Sequence, residues 1–119
     1  MNTNESIAAL YAEYNVNYFG GLLETPQFGF FHATRSLGEY VCRREDSHRS
    51  SIIKIAVNAD WTRESIERVL VHQMIHQYIH EVLHREPLFP HGYLFRRECR
   101  RLRREHGLVI TAHSDLIGR

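Results

Sequence analysis

His72 and His76, with Gln73, Met74 and Ile75 between them, are the residues of this chain best placed to do chemistry. On a helix, side chains four apart sit one turn above each other, with Cβ atoms roughly 5–6 Å apart, so both imidazoles can reach one metal ion. A zinc ion held in this way lowers the pKa of a bound water to about 7. In the H-E-x-x-H form of the pattern, the glutamate after the first histidine is the general base. Gln73 occupies that place here. The spacing predicts metal binding by His72 and His76, with an amide where the proton acceptor belongs.

A catalytic zinc site takes three protein ligands and leaves one position open. His91 is the expected third ligand: it follows His76 by fifteen positions, past a loop bounded by Pro87 and Pro90, where the next helix begins. Glu98 or Glu105 on that helix is the alternative. The longer H-E-x-x-H-x-x-G-x-x-H pattern is excluded, because Ile79 and Val82 stand where it needs Gly and His. His80 and His84 continue the four-residue spacing but read as supporting or surface residues, and His32, His48, His106 and His113 as ordinary ones. Tyr93, Tyr78 or His80 could donate to an oxyanion, although a structural role is the simpler reading of each.

The elements that must position these groups follow from periodicity. Ile7, Leu10, Tyr11, Tyr14 and Tyr18 predict a helix from about Asn4 to Phe19, ended by Gly20-Gly21. Extended runs are expected over Gln27–Thr34, Glu39–Arg44 and Ile52–Asn58, the last with Ile53, Ile55 and Val57 on one face, and Glu45–Ser50 reads as a polar hairpin loop. Thr62 is the expected N-cap of a long helix reaching about His84. A third helix is expected from about His91 to His106, stopped by Gly107, and Val109–His113 as extended chain. This order predicts an α+β fold, three helices on a short three-stranded sheet.

With 119 residues, 43% of them hydrophobic, the chain suits one domain with a modest core. No apolar run approaches the roughly 20 residues of a membrane span, and Met1–Ala8 carries no pattern of a secretory signal. Cys42 and Cys99 are too few for a zinc ribbon. A cytoplasmic, monomeric protein is the expectation. Lys54 is the only lysine among 15 basic residues, and six arginines crowd between Arg96 and Arg104. On a helical wheel Phe95, Cys99 and Leu102 share one arc; Arg96, Arg97, Arg100, Arg103 and Arg104 lie opposite, with Arg101 at the edge. Such a face is either plain solvated surface, partly neutralised by Glu81, Glu86, Glu98 and Glu105, or a reader of nucleic-acid phosphates. Tyr11, Tyr14 and Trp61 could stack on bases, but read more simply as core.

The chain resembles the SprT-like family, which includes the Spartan-type DNA–protein crosslink proteases. The likeness runs through Asn17-Tyr18-Phe19-Gly20-Gly21-Leu22 with Pro26, through Leu37-Gly38-Glu39-Tyr40 and Ile52–Asn58, and through Val71–His76 apart from Gln73. It ends in His91-Gly92-Tyr93-Leu94-Phe95, an H-G-x-x-F segment whose histidine is that family's third zinc ligand. The resemblance implies a small zincin fold over residues 1–119 and one zinc ion on His72, His76 and His91; the chain departs from the bacterial members that end in a zinc ribbon, because it lacks the cysteines. It also implies peptide hydrolysis by zinc-activated water on proteins near DNA. Gln73 implies that this form turns over little. It fits an introduced Glu→Gln change, the preferred history, or a natural substitution that leaves a non-catalytic, zinc-containing DNA- or protein-binding domain.

Overall fold

The computed structural model describes residues 4–45 and 48–117. In chain order the elements are α1 (Asn4–Phe19), β1 (Gln27–Phe31), β2 (Gly38–Glu45), β3 (His48–Ala56), α2 (Arg63–Glu81) and α3 (Tyr93–His106). The fold is α+β, with three helices and one three-stranded sheet in the order β1-β3-β2. β3 lies in the middle, parallel to β1 and antiparallel to β2.

Helix α1 buries Ile7, Tyr11 and Tyr14 of the stripe its periodicity predicts, with Leu10 and Tyr18 half-buried against the core and Phe19 buried at its end. It stops where Gly20 and Gly21 take positive φ, and the Gly21 amide bonds back to the Asn15 carbonyl. Asn15 also pairs through its side-chain amide with both backbone groups of Leu23, which directs the chain towards β1. The strand β1 ends at Phe31, short of Thr34, because Ala33 leaves the ladder to pair with the Asn58 side chain through both its backbone groups.

The β2–β3 hairpin is longer than its polar residues suggest. Arg43 pairs with Ser50, Arg44 with Arg49 and Glu45 with His48, so most of the expected loop is strand. Only Asp46 and Ser47 remain between the strands, and both lie outside the described residues. Solvated strand ends need no hydrophobic alternation, so a polar run there does not exclude pairing. Ile53 and Ile55 point into the core, whereas Val57 is 60% exposed, because β3 closes at Ala56 before the alternation reaches it.

Helix α2 crosses the inner face of the sheet and is nearly enveloped. Thr62 caps it: the Thr62 hydroxyl accepts from the Ser65 amide and the Ser65 hydroxyl accepts from the Thr62 amide, a reciprocal box worth about 1 kcal/mol. The helix ends at Glu81, three residues before the expected His84. His84 itself adopts φ 55°, and the Arg85 amide reaches back to the Ile79 carbonyl, so a histidine fills the left-handed position that glycine usually takes. A buried polar ladder fixes how α2 is rotated. The Tyr11 hydroxyl donates to Gln77 Oε1, Gln77 Nε2 donates to Glu81 and to the Glu24 carbonyl, and Ser51 donates to the same Glu81 carboxylate.

Helix α3 begins at Tyr93, two residues after His91, and ends on Gly107 at φ 66°. Residues 109–113 form no ladder. The chain runs back towards α2, tightens into a turn at Thr111–Ser114, and touches the strand side through a single bridge, Ser36 to Leu116. No helix among the described residues is long and apolar enough to cross a membrane.

Candidate metal centre

His72 and His76 project from the middle of α2 towards the start of α3. His91 arrives on the tight turn Phe89–Gly92, in which the Gly92 amide donates to the Phe89 carbonyl and Pro90 takes the corner. A proline at that place presets the φ that the turn requires. A Cβ on Gly92 would come within 3.1 Å of the Phe89 carbonyl oxygen, so the turn closes best around glycine. One nitrogen from each of the three imidazoles lies within 4.8 Å of the others, and the Nε2 atoms of His72 and His91 are 3.1 Å apart. Phe95 sits beneath the cluster, its ring centre 4.7–4.9 Å from all three imidazole centres. That ring is the apolar floor of the site, and it explains the phenylalanine four residues after His91.

Burial pushes the His72 imidazole down to about 4 and His76 to about 3, with the neighbouring histidines adding to the shift. His91 is lowered too, again mainly by burial. All three are therefore neutral at pH 7 and able to offer a lone pair. His72 Nδ1 lies 3.0 Å from the Thr111 carbonyl oxygen, which can only accept, so the proton resides on Nδ1 and Nε2 carries the free pair. Metal-binding histidines almost always have such an outer partner, which fixes the tautomer and the ring. The donor set of three neutral imidazoles suits zinc.

The depressed values carry a sign. Unfolded histidine titrates near 6.5, so below that pH the unfolded chain binds more protons than the folded one. The metal-free chain should lose stability on acidification from about pH 6.5 towards 4, by up to about 1.4 kcal/mol per pH unit for each of His72 and His76. Denaturant titrations at about pH 5 and pH 7.5 check this. His72→Asn should reduce the difference but not abolish it, because His76 still contributes.

Gln73 is buried beside His72, and its amide donates to Asp115 Oδ2 at 2.9 Å. It fits there because Gly38 has no side chain: a Cβ would lie 2.9 Å from Gln73 Nε2 and 2.7 Å from Val69 Cγ1. A cleft of about 300 Å³ opens over the histidines, lined by Gly38, Glu39, Tyr40, Gln73, His76, His80, Pro90, His91 and Asp115. The groups considered for an oxyanion part company here. His80 lines the cleft and lies against Tyr40, whereas Tyr78 packs on Phe19, and Tyr93 is 64% exposed over a separate apolar depression with Leu88 and Phe89. Glu98 and Glu105 are engaged by Arg101 and lie outside the cluster.

A sequence profile of the SprT-like family matches residues 7–114. The chain belongs to the SprT-like family. No curated protein matches its sequence. SprT-like membership points to a domain of the metalloprotease type, and the histidine cluster is compatible with a bound metal ion.

On the SprT-like chain's third helix, Arg96, Arg97, Arg100, Arg103 and Arg104 are exposed and Phe95 and Leu102 fully buried, as the wheel predicts. Arg101 is different. It bonds to Glu98, Glu105 and the Tyr18 carbonyl, and so ties α3 to α1. Glu98 is buried under this pair, while Glu81 and Glu86 turn instead to Ser51 and Arg44. Tyr11 and Tyr14 are core, and Trp61 donates to the Ala56 carbonyl. Thr111 and Asp115 are site groups that no motif in the sequence marks. They pair with α2 across 39 and 42 positions, which no helical or strand periodicity relates; the one weak signal is that Asp115 is the sole carboxylate side chain after Glu105.

Proposed function

We propose that the chain is a zinc metalloprotease domain, held at low turnover by Gln73, that acts on proteins at or near DNA. The convergence of His72, His76 and His91 beneath an open cleft carries this reading. A divalent ion on these nitrogens would supply the Lewis acidity that makes water a nucleophile near neutral pH. The protein's own groups do the rest. His72, held by Thr111, presents Nε2; His91 is braced by its proline turn; Phe95 keeps water from the rear of the site; and a substrate peptide would lie in the cleft against Gly38, Glu39 and Tyr40 of β2. Gln73 can orient a water by hydrogen bonding but takes up no proton, and general acid–base catalysis is worth typically 10²–10⁴-fold. The test is metal content with cleavage. Purified chain is expected to hold one zinc per molecule and to cleave an unfolded protein substrate slowly, with the residual rate abolished by a chelator. A chain with no zinc, or a rate indifferent to the chelator, would refute it.

A second reading, a zinc-containing domain that binds DNA or protein without turnover, draws on the fit between Gln73 and its hydrogen-bond partner. DNA contact enters both readings through the exposed arginines of α3. Each phosphate contact on duplex DNA contributes roughly −0.9 to the slope of log K against log salt. Changing Arg100 and Arg104 to Gln should therefore reduce the slope in gel-shift titrations by up to about 2. An unaltered slope would assign that face to plain solvation.

A further inference from the structure

We propose that Asp115 is the outer carboxylate of this metal centre, delivered by the C-terminal turn and held there by the amide at position 73. The assignment rests on the metal-centre reading above and goes beyond its three histidines.

The turn that carries Asp115 is anchored on both sides of the cleft. The Leu37 amide donates to the Asp115 carbonyl at 2.6 Å, the Ile117 amide to the Arg35 carbonyl at 2.8 Å, and Thr111 holds His72. The Asp115 side chain is thereby placed with Oδ2 3.4 Å from His72 Nε2, the nitrogen that carries the free pair. Oδ2 does not join the three imidazole nitrogens that lie within 4.8 Å of one another, so Asp115 stands beside His72 as an outer carboxylate and not as a fourth member of the donor set. His72 Nε2 thus faces two electron-rich atoms, Asp115 Oδ2 and His91 Nε2. Both atoms face the lone pair of a neutral His72, an arrangement that a cation placed among them would relieve.

Gln73 is matched to this arrangement. Ser36 Oγ lies 3.2 Å from Asp115 Oδ2 but has a single proton, which is committed to the Gly38 carbonyl at 2.6 Å. The dedicated donor to Oδ2 is the Gln73 amide at 2.9 Å. A glutamate at 73 would set a second carboxylate against the first where the amide now donates, and like charges at that separation repel. An amide at 73 and a carboxylate at 115 are therefore complementary, and the site keeps one negative charge, on the turn beside His72 and not at the general-base position of α2.

Zinc affinity, measured by competition with a chromogenic chelator, tests the assignment without any need for turnover. Asp115→Asn keeps the shape and can still accept from Gln73, so it removes little but the charge. It should weaken zinc binding by about 10- to 100-fold. Gln73→Glu should lower the melting temperature of the metal-free chain when Asp115 is present, and leave it unchanged or higher when combined with Asp115→Asn. The exchanged pair, Gln73→Glu with Asp115→Asn, should bring zinc affinity back towards that of the original chain. Should Asp115→Asn fold poorly alone, the exchanged pair reads the same coupling. Affinity indifferent to residue 115, or effects of the two changes that simply add, would overturn the proposal while leaving the three-histidine centre standing. An original chain that takes up no zinc would overturn both.

Discussion

The exchanged chain, Gln73→Glu with Asp115→Asn, is expected to cleave an unfolded protein substrate about 10²–10⁴-fold faster than the original, with chelator-sensitive turnover. The magnitude is that of a general base regained. The new carboxylate would enter a site that welcomes it, because the amide introduced by Asp115→Asn can turn towards it as Gln73 now turns towards Asp115. Gln73→Glu alone should recover much less. Its carboxylate would meet Asp115 at hydrogen-bond distance, and a carboxyl group forced against another is held protonated and is a poor base. Steady-state rates for the single and double variants distinguish the outcomes. Full recovery in the single variant would show that Asp115 yields freely, and no recovery in either would favour a binding domain.

Removing a histidine has the second large effect. His76→Ala or His91→Ala should reduce zinc affinity by more than the roughly 10–100-fold that loss of an outer partner costs, enough to leave the chain empty after dialysis against a weak chelator. The two variants should differ in stability. His76 is half-buried and packed against Phe95 and Tyr40, so truncation leaves a cavity and lowers the melting temperature. His91 is more exposed, at the cleft mouth, although its ring packs on Phe95, so its loss should empty the site and lower the melting temperature of the metal-free chain less than His76→Ala does. Metal analysis paired with thermal melts of the apoproteins checks both statements. Retention of stoichiometric zinc without His91 would move the third ligand elsewhere.

Much of this centre is legible in the sequence, because its strongest constraints are local. Two histidines one helical turn apart, and a third set after a pair of prolines, are patterns of spacing, and spacing is what a sequence displays. Helix α1, the N-cap at Thr62 and the stop at Gly107 are legible for the same reason. The hairpin ends, the end of α2 and the segment after α3 are not. His84 takes a left-handed conformation that its residue type does not announce, and Glu45 and His48 pair because the core further down the hairpin holds them in register. Asp115 is hidden from such a reading because its role depends on a contact across 42 positions with Gln73 and 79 with Ser36, and no periodicity relates them. Arg101 illustrates the limit of a wheel: it places residues by angle but cannot show that one arginine at the edge finds the carbonyl of another helix.

The turn at Thr111–Asp115 also has a meaning for how the molecule assembles. Its contacts to His72, Gln73 and Ser36 bridge long stretches of sequence, and pairings this distant are costly to close and form late. A cation arriving early would find imidazoles whose tautomer and charge partner were still undecided. Tight uptake should therefore coincide with the last step of folding, and a proteolytic nick at Val109, exposed between half-buried Leu108 and buried Ile110, would loosen the ion before it melted the core.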